Sequence, residues 1–242
     1  MSNFPMSLIA GLLGGLKSSS NDIEKRTIQI NSETFHYQVH LPAELKGKKN
    51  LPVIVFLHGI RERGTGGFLP ESGSAAAIAS HYLKKVPAII VLPQCRPGKY
   101  WSDSLMEQMV MKSLEQTVTE FGADKSRIYL AGVSMGGYGV WHFASRFAET
   151  FAALVAICGG SPLLTGERFA PIAKQIGSTP VWVFHGEQDR IVPVSESRSM
   201  VNAIREHGGS VKYNEYEKVG HEVWLNALKE KQLLPWLLSQ NN

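Results

Sequence analysis

Two segments near the start of the chain, Thr27 to Ile30 and Thr34 to Leu41, alternate apolar and polar residues. Successive side chains of a strand point to opposite faces, so this alternation predicts an antiparallel pair with one wet face. From Val53 the pattern changes. "VIVFLHG" at Val53, "AIIVLPQ" at Ala88, "RIYLAGV" at Arg127, "FAALVAICGG" at Phe151 and "PVWVFHG" at Pro180 are short, nearly continuous apolar runs with Gly or Pro at or near their ends. A strand with no polar alternation has both faces buried, as in a parallel sheet covered by helices. "VKYNEYEKV" at Val211 reads as the last strand.

Helix-period stretches separate these runs. Ala75 to Lys84 is short and Ala-rich. Ser104 to Phe121 places Leu105, Met109, Leu114, Val118 and Phe121 at near-helical spacing, with Ser102 or Asp103 to cap its start and Gly122 to end it. Met135 to Phe147 and Ser195 to His207 read as further helices, the second ending at Gly208-Gly209. Gly160 to Lys174 reads as a small cap or one helix. Glu222 to Leu238 reads as a closing helix with a kink or break at Pro235. Strands alternating with helices predict an α/β fold in three layers, with ligands gathered at the carboxyl ends of the strands.

Composition narrows the class. A chain of 242 residues with 43% hydrophobic and 19% charged residues can bury a large core and fits one α/β domain. The formal net charge is +4, but Lys and Arg are spread along the chain with only small clusters such as Lys46 to Lys49. That patterning argues against nucleic acid as a partner. The two cysteines, Cys95 and Cys158, lie in no CxxC pair and beside no His cluster, so no metal site is expected; two reduced, partly buried thiols are the default reading, with one disulfide between them left open. Met6 to Leu16 is apolar and Gly-rich but too short to span a bilayer as a helix. No Lys or Arg precedes it, so no clear signal peptide is read. A cytoplasmic site and secretion after leader removal both remain open. Ser18 to Asn21 looks like a linker.

Candidate chemistry centres on "GVSMG", a G-x-S-x-G pattern at Ser134 that follows an expected strand and opens an expected helix. That context lifts a serine hydroxyl above the sheet edge, with a helix N-terminus behind it. A serine needs a base, and the base needs an orienting carboxylate. The chain contains four Asp, and only Asp189 follows Ser134, at the end of "VFHGEQD"; Glu187 is the runner-up. Four histidines follow Ser134. His142 lies about 12 Å further along the same helix. His185 sits at a strand end, suited to packing or to positioning the acid loop, and His207 looks like a helix end. His221, in "KVGHEVW", is the best base. Acyl transfer also needs donors for a developing oxyanion. The expected ones are the backbone N–H of Met135 and that of Ile60, in the loop after "VIVFLHG", where His58 braces the loop. Trp101, Tyr100, Arg61 and Phe68 are candidates for lining the cleft, with Arg63 and Arg96 as further cations.

"FLHG", "GVSMGG", "HGEQDRIVP" and "GHEVW", in that order, resemble the α/β-hydrolase superfamily from about Thr27 to Leu238. "LHGIRERGTGG" and "LPQCRPGKYWSD" resemble small esterases of the predicted-peptidase, phospholipase/carboxylesterase and feruloyl-esterase-like group. There the loop is closer to "HGxGERG", whereas Arg61 stands here where Gly is usual. The resemblance implies an α/β-hydrolase fold with a mostly parallel central sheet, an antiparallel N-terminal strand pair and at most a small cap. Residues 27–242 would form one catalytic domain after an arm or linker at 1–26. It implies a serine hydrolase needing no cofactor or metal and acting on short-acyl or aryl esters, feruloyl and acetyl-carbohydrate esters among them. A serine peptidase or amidase with the same triad, or a non-catalytic binding protein, are the alternatives. The natural substrate and oligomeric state stay open.

Overall fold

The computed structural model describes residues 23–66 and 86–242. The expected helix at Ala75 to Lys84, Phe68, and the segments at Met6 to Leu16 and Ser18 to Asn21 lie outside the described residues.

Among the described residues eight strands form one sheet: β1 (Ile23–Ile30), β2 (Glu33–His40), β3 (Val53–Leu57), β4 (Ile89–Pro93), β5 (Ile128–Val133), β6 (Ala153–Ile157), β7 (Val181–Gly186) and β8 (Val211–Tyr216). Their spatial order is β1-β2-β4-β3-β5-β6-β7-β8. β1 and β2 pair antiparallel, β2 meets β4 antiparallel, and the rest of the sheet is parallel. The helices are α1 (Ser104–Phe121), α2 (Met135–Arg146), α3 (Ala170–Ile176), α4 (Ser195–Glu206), α5 (Trp224–Ala227) and α6 (Leu233–Leu238).

The continuous apolar runs are the interior strands. Every residue of β3, β4, β6 and β7 is buried. Alternate residues feed opposite faces. Val53, Val55 and Leu57 join the core beneath α1 to α4, while Ile54 and Phe56 join the one beneath α5 and α6. Sheet and helices thus enclose two apolar layers, the three-layer arrangement expected.

Two expectations need correction. β1 begins at Ile23, so residues 23–26 belong to the sheet and not to an arm. Glu24, Lys25 and Arg26 hid this start from the hydrophobic pattern, and charged side chains suit an edge strand. The chain also does not close on one helix broken at Pro235. The break falls between α5 and α6, and Pro235 sits in the first turn of α6, where a missing N–H costs no intrahelical bond. Gly160 to Lys174 is a short loop followed by one helix, α3, from Ala170, in keeping with at most a small cap.

The turn from β5 into α2 depends on glycine. A Cβ on Gly136 would lie 1.9 Å from Leu57 O, and one on Gly132 would lie 2.3 Å from Gly136 O. Both obstacles are backbone and cannot swing aside. Gly136→Ala is therefore expected to cost more than the roughly 1–3 kcal/mol of ordinary overpacking. Thermal denaturation should show a large fall in Tm or loss of soluble protein; an unchanged Tm would contradict the packing.

Candidate active site

Ser134 caps α2 with φ 56° and ψ −115°, a left-handed backbone uncommon for a residue bearing a side chain. Its N–H donates to Ile157 O at 2.9 Å on neighbouring β6, and its C=O accepts from Tyr138 N at 3.1 Å. These bonds hold the strained turn, so the hydroxyl stands at the carboxyl end of the sheet.

His221 lies in the loop after β8. A Cβ on Gly186, the last residue of β7, would meet Gly220 O at 2.3 Å and Val219 O at 2.4 Å, so these backbones are in direct contact. Gln188 N–H donates to Val219 O at 2.9 Å. This contact brings the Asp189 and His221 loops together. His221 Nδ1 lies 2.7 Å from Asp189 Oδ2, and His221 Nε2 lies 2.8 Å from Ser134 Oγ. A carboxylate only accepts, so Nδ1 carries the proton and Nε2 presents its lone pair to the hydroxyl. Asp189 is itself fixed: Oδ1 accepts from Ile191 N at 2.8 Å and Val192 N at 2.9 Å. Glu187 instead accepts from Lys218 N at 3.1 Å.

The other histidines are engaged elsewhere. His185 is fully buried, and burial lowers its pKa. Its Nε2–H donates to Val192 O at 3.0 Å and lies 3.3 Å from Asp189 Oδ2, while Ser197 Oγ is 2.7 Å from Nδ1. His185 and Ser197 therefore back the acid loop. His142 sits 2.8 Å from Glu107, which also pairs with Arg146. His207 bonds Ala203 O at the end of α4.

Met135 and Ile60 each open a helical turn, so neither N–H has an intrahelical acceptor. Ile60 is exposed, as are Arg61 and Tyr100. Trp101 needs correction as a cleft wall. Its side chain is only 1% exposed and its indole N–H donates to His58 O at 3.0 Å, so it packs beneath the loop. Arg63 bonds Ile60 O and Lys99 O, and Arg96 covers the Phe35 ring at 3.8 Å while pairing with Glu33, so each serves a local surface contact.

Both cysteines are free and buried. Burial pushes the Cys95 thiol up to about 12 and raises that of Cys158 as well. Cys158, Asp189 and His221 place ligand-type atoms within 4.8 Å of one another. Asp189 and His221 are already bonded to each other, however, and the raised Cys158 pKa opposes the thiolate a metal requires.

Residues 100–232, over half of the chain, match the phospholipase/carboxylesterase family. The chain belongs to this family. The α/β-hydrolase architecture agrees with a thermostable esterase of known crystal structure, with a TM-score of 0.79 and 31% identity over 91% of this chain and 64% of that one. Acyl-protein thioesterase 1 of Gibberella zeae is 28% identical over 139 residues, covering 54% of this chain and 58% of the relative. A bifunctional acetylxylan esterase/xylanase of Neocallimastix patriciarum is 25% identical over 99 residues, 41% of this chain and 14% of the relative. This member of the family thus spans less than two thirds of the length of each of these three proteins.

Proposed function

We propose that the protein is a serine carboxylic-ester hydrolase working through an acyl-enzyme. The observation that carries this reading is the unbroken hydrogen-bonded series Ser134–His221–Asp189, at 2.8 and 2.7 Å, on a strained strand-to-helix turn. Ser134 Oγ attacks the ester carbonyl carbon while His221 Nε2 takes its proton. Asp189 steadies the resulting imidazolium. The carbonyl oxygen becomes an anion received by the N–H groups of Met135 and Ile60. The tetrahedral species collapses, and His221 returns the proton to the departing alcohol. Water, deprotonated by the same imidazole, then releases the acid and restores the serine. No step requires a cofactor. The catalytic unit is proposed to be a single domain that includes β1.

Short-acyl or aryl esters fit the rim best. The loop between β6 and α3 is a small, fixed cover: Ser161 N–H donates to Glu196 at 2.9 Å, and Arg168 pairs with Glu196 at 2.9 Å. Ile60, Tyr100, Leu163, Leu164 and Ile191 are exposed on loops that leave the carboxyl ends of the strands. They offer apolar contact at the rim of the proposed site. The test is a panel of p-nitrophenyl esters of increasing acyl length, feruloyl, acetyl-sugar, thioester and polyester substrates, and aminoacyl-nitroanilides. Short and aryl esters should turn over fastest and the anilides slowest. Amide cleavage without ester turnover would contradict the proposal.

A further inference from the structure

Two carboxylates are buried among the described residues, Asp189 and Glu62. The mechanism uses the first. Glu62 is 3% exposed and lies in the short helical turn Ile60–Glu62, just beyond β3. A carboxylate is costly to bury without partners, so what it bonds to bears on what it does. Its Oε2 accepts from Gly59 N–H at 2.8 Å.

That bond completes a clamp on two successive peptide units. In the His58–Gly59 unit, the carbonyl accepts from the Trp101 indole N–H at 3.0 Å and the N–H donates to Glu62. In the Gly59–Ile60 unit, the carbonyl accepts from Glu62 N–H at 3.2 Å and lies 2.7 Å from His58 Nδ1. Cys95 N–H donates to His58 Nε2 at 3.0 Å, so the ring proton resides on Nδ1 and points at that carbonyl. Burial lowers the His58 pKa, which favours this neutral form. A trans peptide is planar, with its C=O and N–H directed oppositely. Fixing Gly59 O on one side therefore fixes the Ile60 N–H on the other. The loop passes close to the nucleophile, since a Cβ on Gly59 would lie 3.9 Å from Ser134 Cβ. Donating to a carbonyl also polarises the same peptide and strengthens its N–H as a donor.

We propose that Glu62 is a positioning residue for ester hydrolysis. Its carboxylate and Trp101 lock the His58–Gly59 peptide, which seats the loop so that the Glu62 N–H and the His58 ring hold Gly59 O and the Ile60 N–H is aimed in advance at the developing oxyanion. This rests on the reading of Ser134 as nucleophile. Glu62 touches no substrate atom, so it acts on the transition state through the orientation of one donor.

The test compares Glu62→Ala, Glu62→Asp and Glu62→Gln with the full-length wild type and Ser134→Ala, using a soluble p-nitrophenyl ester. A trifluoromethyl ketone of matching acyl length serves as the oxyanion probe. Removing an oxyanion donor outright costs about 10²–10³ in kcat, and a misaimed donor should lose part of that, about 10- to 100-fold. The Ala variant, and the Asp variant whose shorter arm cannot span the bond, should lose kcat by that factor with KM nearly unchanged. Ketone affinity should fall in parallel. The Gln variant keeps an acceptor oxygen and should recover most of both. Should the Ala variant fail to fold, the Asp and Gln pair carries the comparison. A purely structural role would lower Tm and leave kcat per folded molecule and ketone affinity unchanged in all three, overturning the clamp alone. Wild-type turnover that survives in Ser134→Ala would remove the nucleophile reading and the clamp with it.

Discussion

Replacing Ser134 by Ala is expected to lower kcat by about 10⁴-fold or more while leaving the fold intact. The methyl group occupies less space than the hydroxymethyl, and the left-handed backbone at this position is held by Ile157 O and by the Gly132 and Gly136 contacts, which the substitution does not touch. Only the hydroxyl is lost. Residual rate would come from the N–H donors and from substrate positioning. Initial rates on the best ester of the panel, with Tm measured alongside, check this. A variant within tenfold of wild type would remove Ser134 from the chemistry.

Asp189→Asn should be nearly as damaging, by about 10⁴-fold in kcat, through the tautomer of His221. The reason lies in what surrounds the carboxylate. Oδ1 receives two backbone N–H groups, from Ile191 and Val192. In the amide, the oxygen must stay on that side, because turning it would set an NH₂ against two donors. The NH₂ is then directed at His221 Nδ1, which must accept. The imidazole proton moves to Nε2, and the ring can no longer take a proton from Ser134. KM should change little, since the substrate does not touch this group. Near-normal turnover in the Asn variant would show that the imidazole is oriented by something other than Asp189.

Much of this was legible in the sequence because it rests on local patterns. The interior strands announce themselves as unbroken apolar runs, since burial on both faces leaves no place for polar alternation. The turn at Ser134 is legible because backbone contact at Gly132 and Gly136 demands glycine, and Asp189 because it is the only Asp after the serine. What escaped the pattern depends on partners distant in the chain. The start of β1 is masked by charges an edge strand tolerates. Trp101 looks like a cleft aromatic until its indole is found bonded to His58 O, 43 residues away. For His185 the sequence does offer packing or support of the acid loop, but its partner Ser197, on α4, is out of reach of any local pattern. Glu62 did have a local signal, an acidic residue three positions after Gly59, the spacing by which a side chain bonds back to the start of a helical turn. That signal alone could not tell that the turn also carries the proposed oxyanion donor.

The most direct measurement of the proposed site is covalent labelling with a fluorophosphonate, followed by mass mapping of the adduct. The account predicts one adduct per chain, on the peptide containing Ser134, absent from Ser134→Ala and greatly slowed in His221→Ala. Folded wild type that fails to label, or a Ser134→Ala variant labelled as fast as wild type, would contradict it.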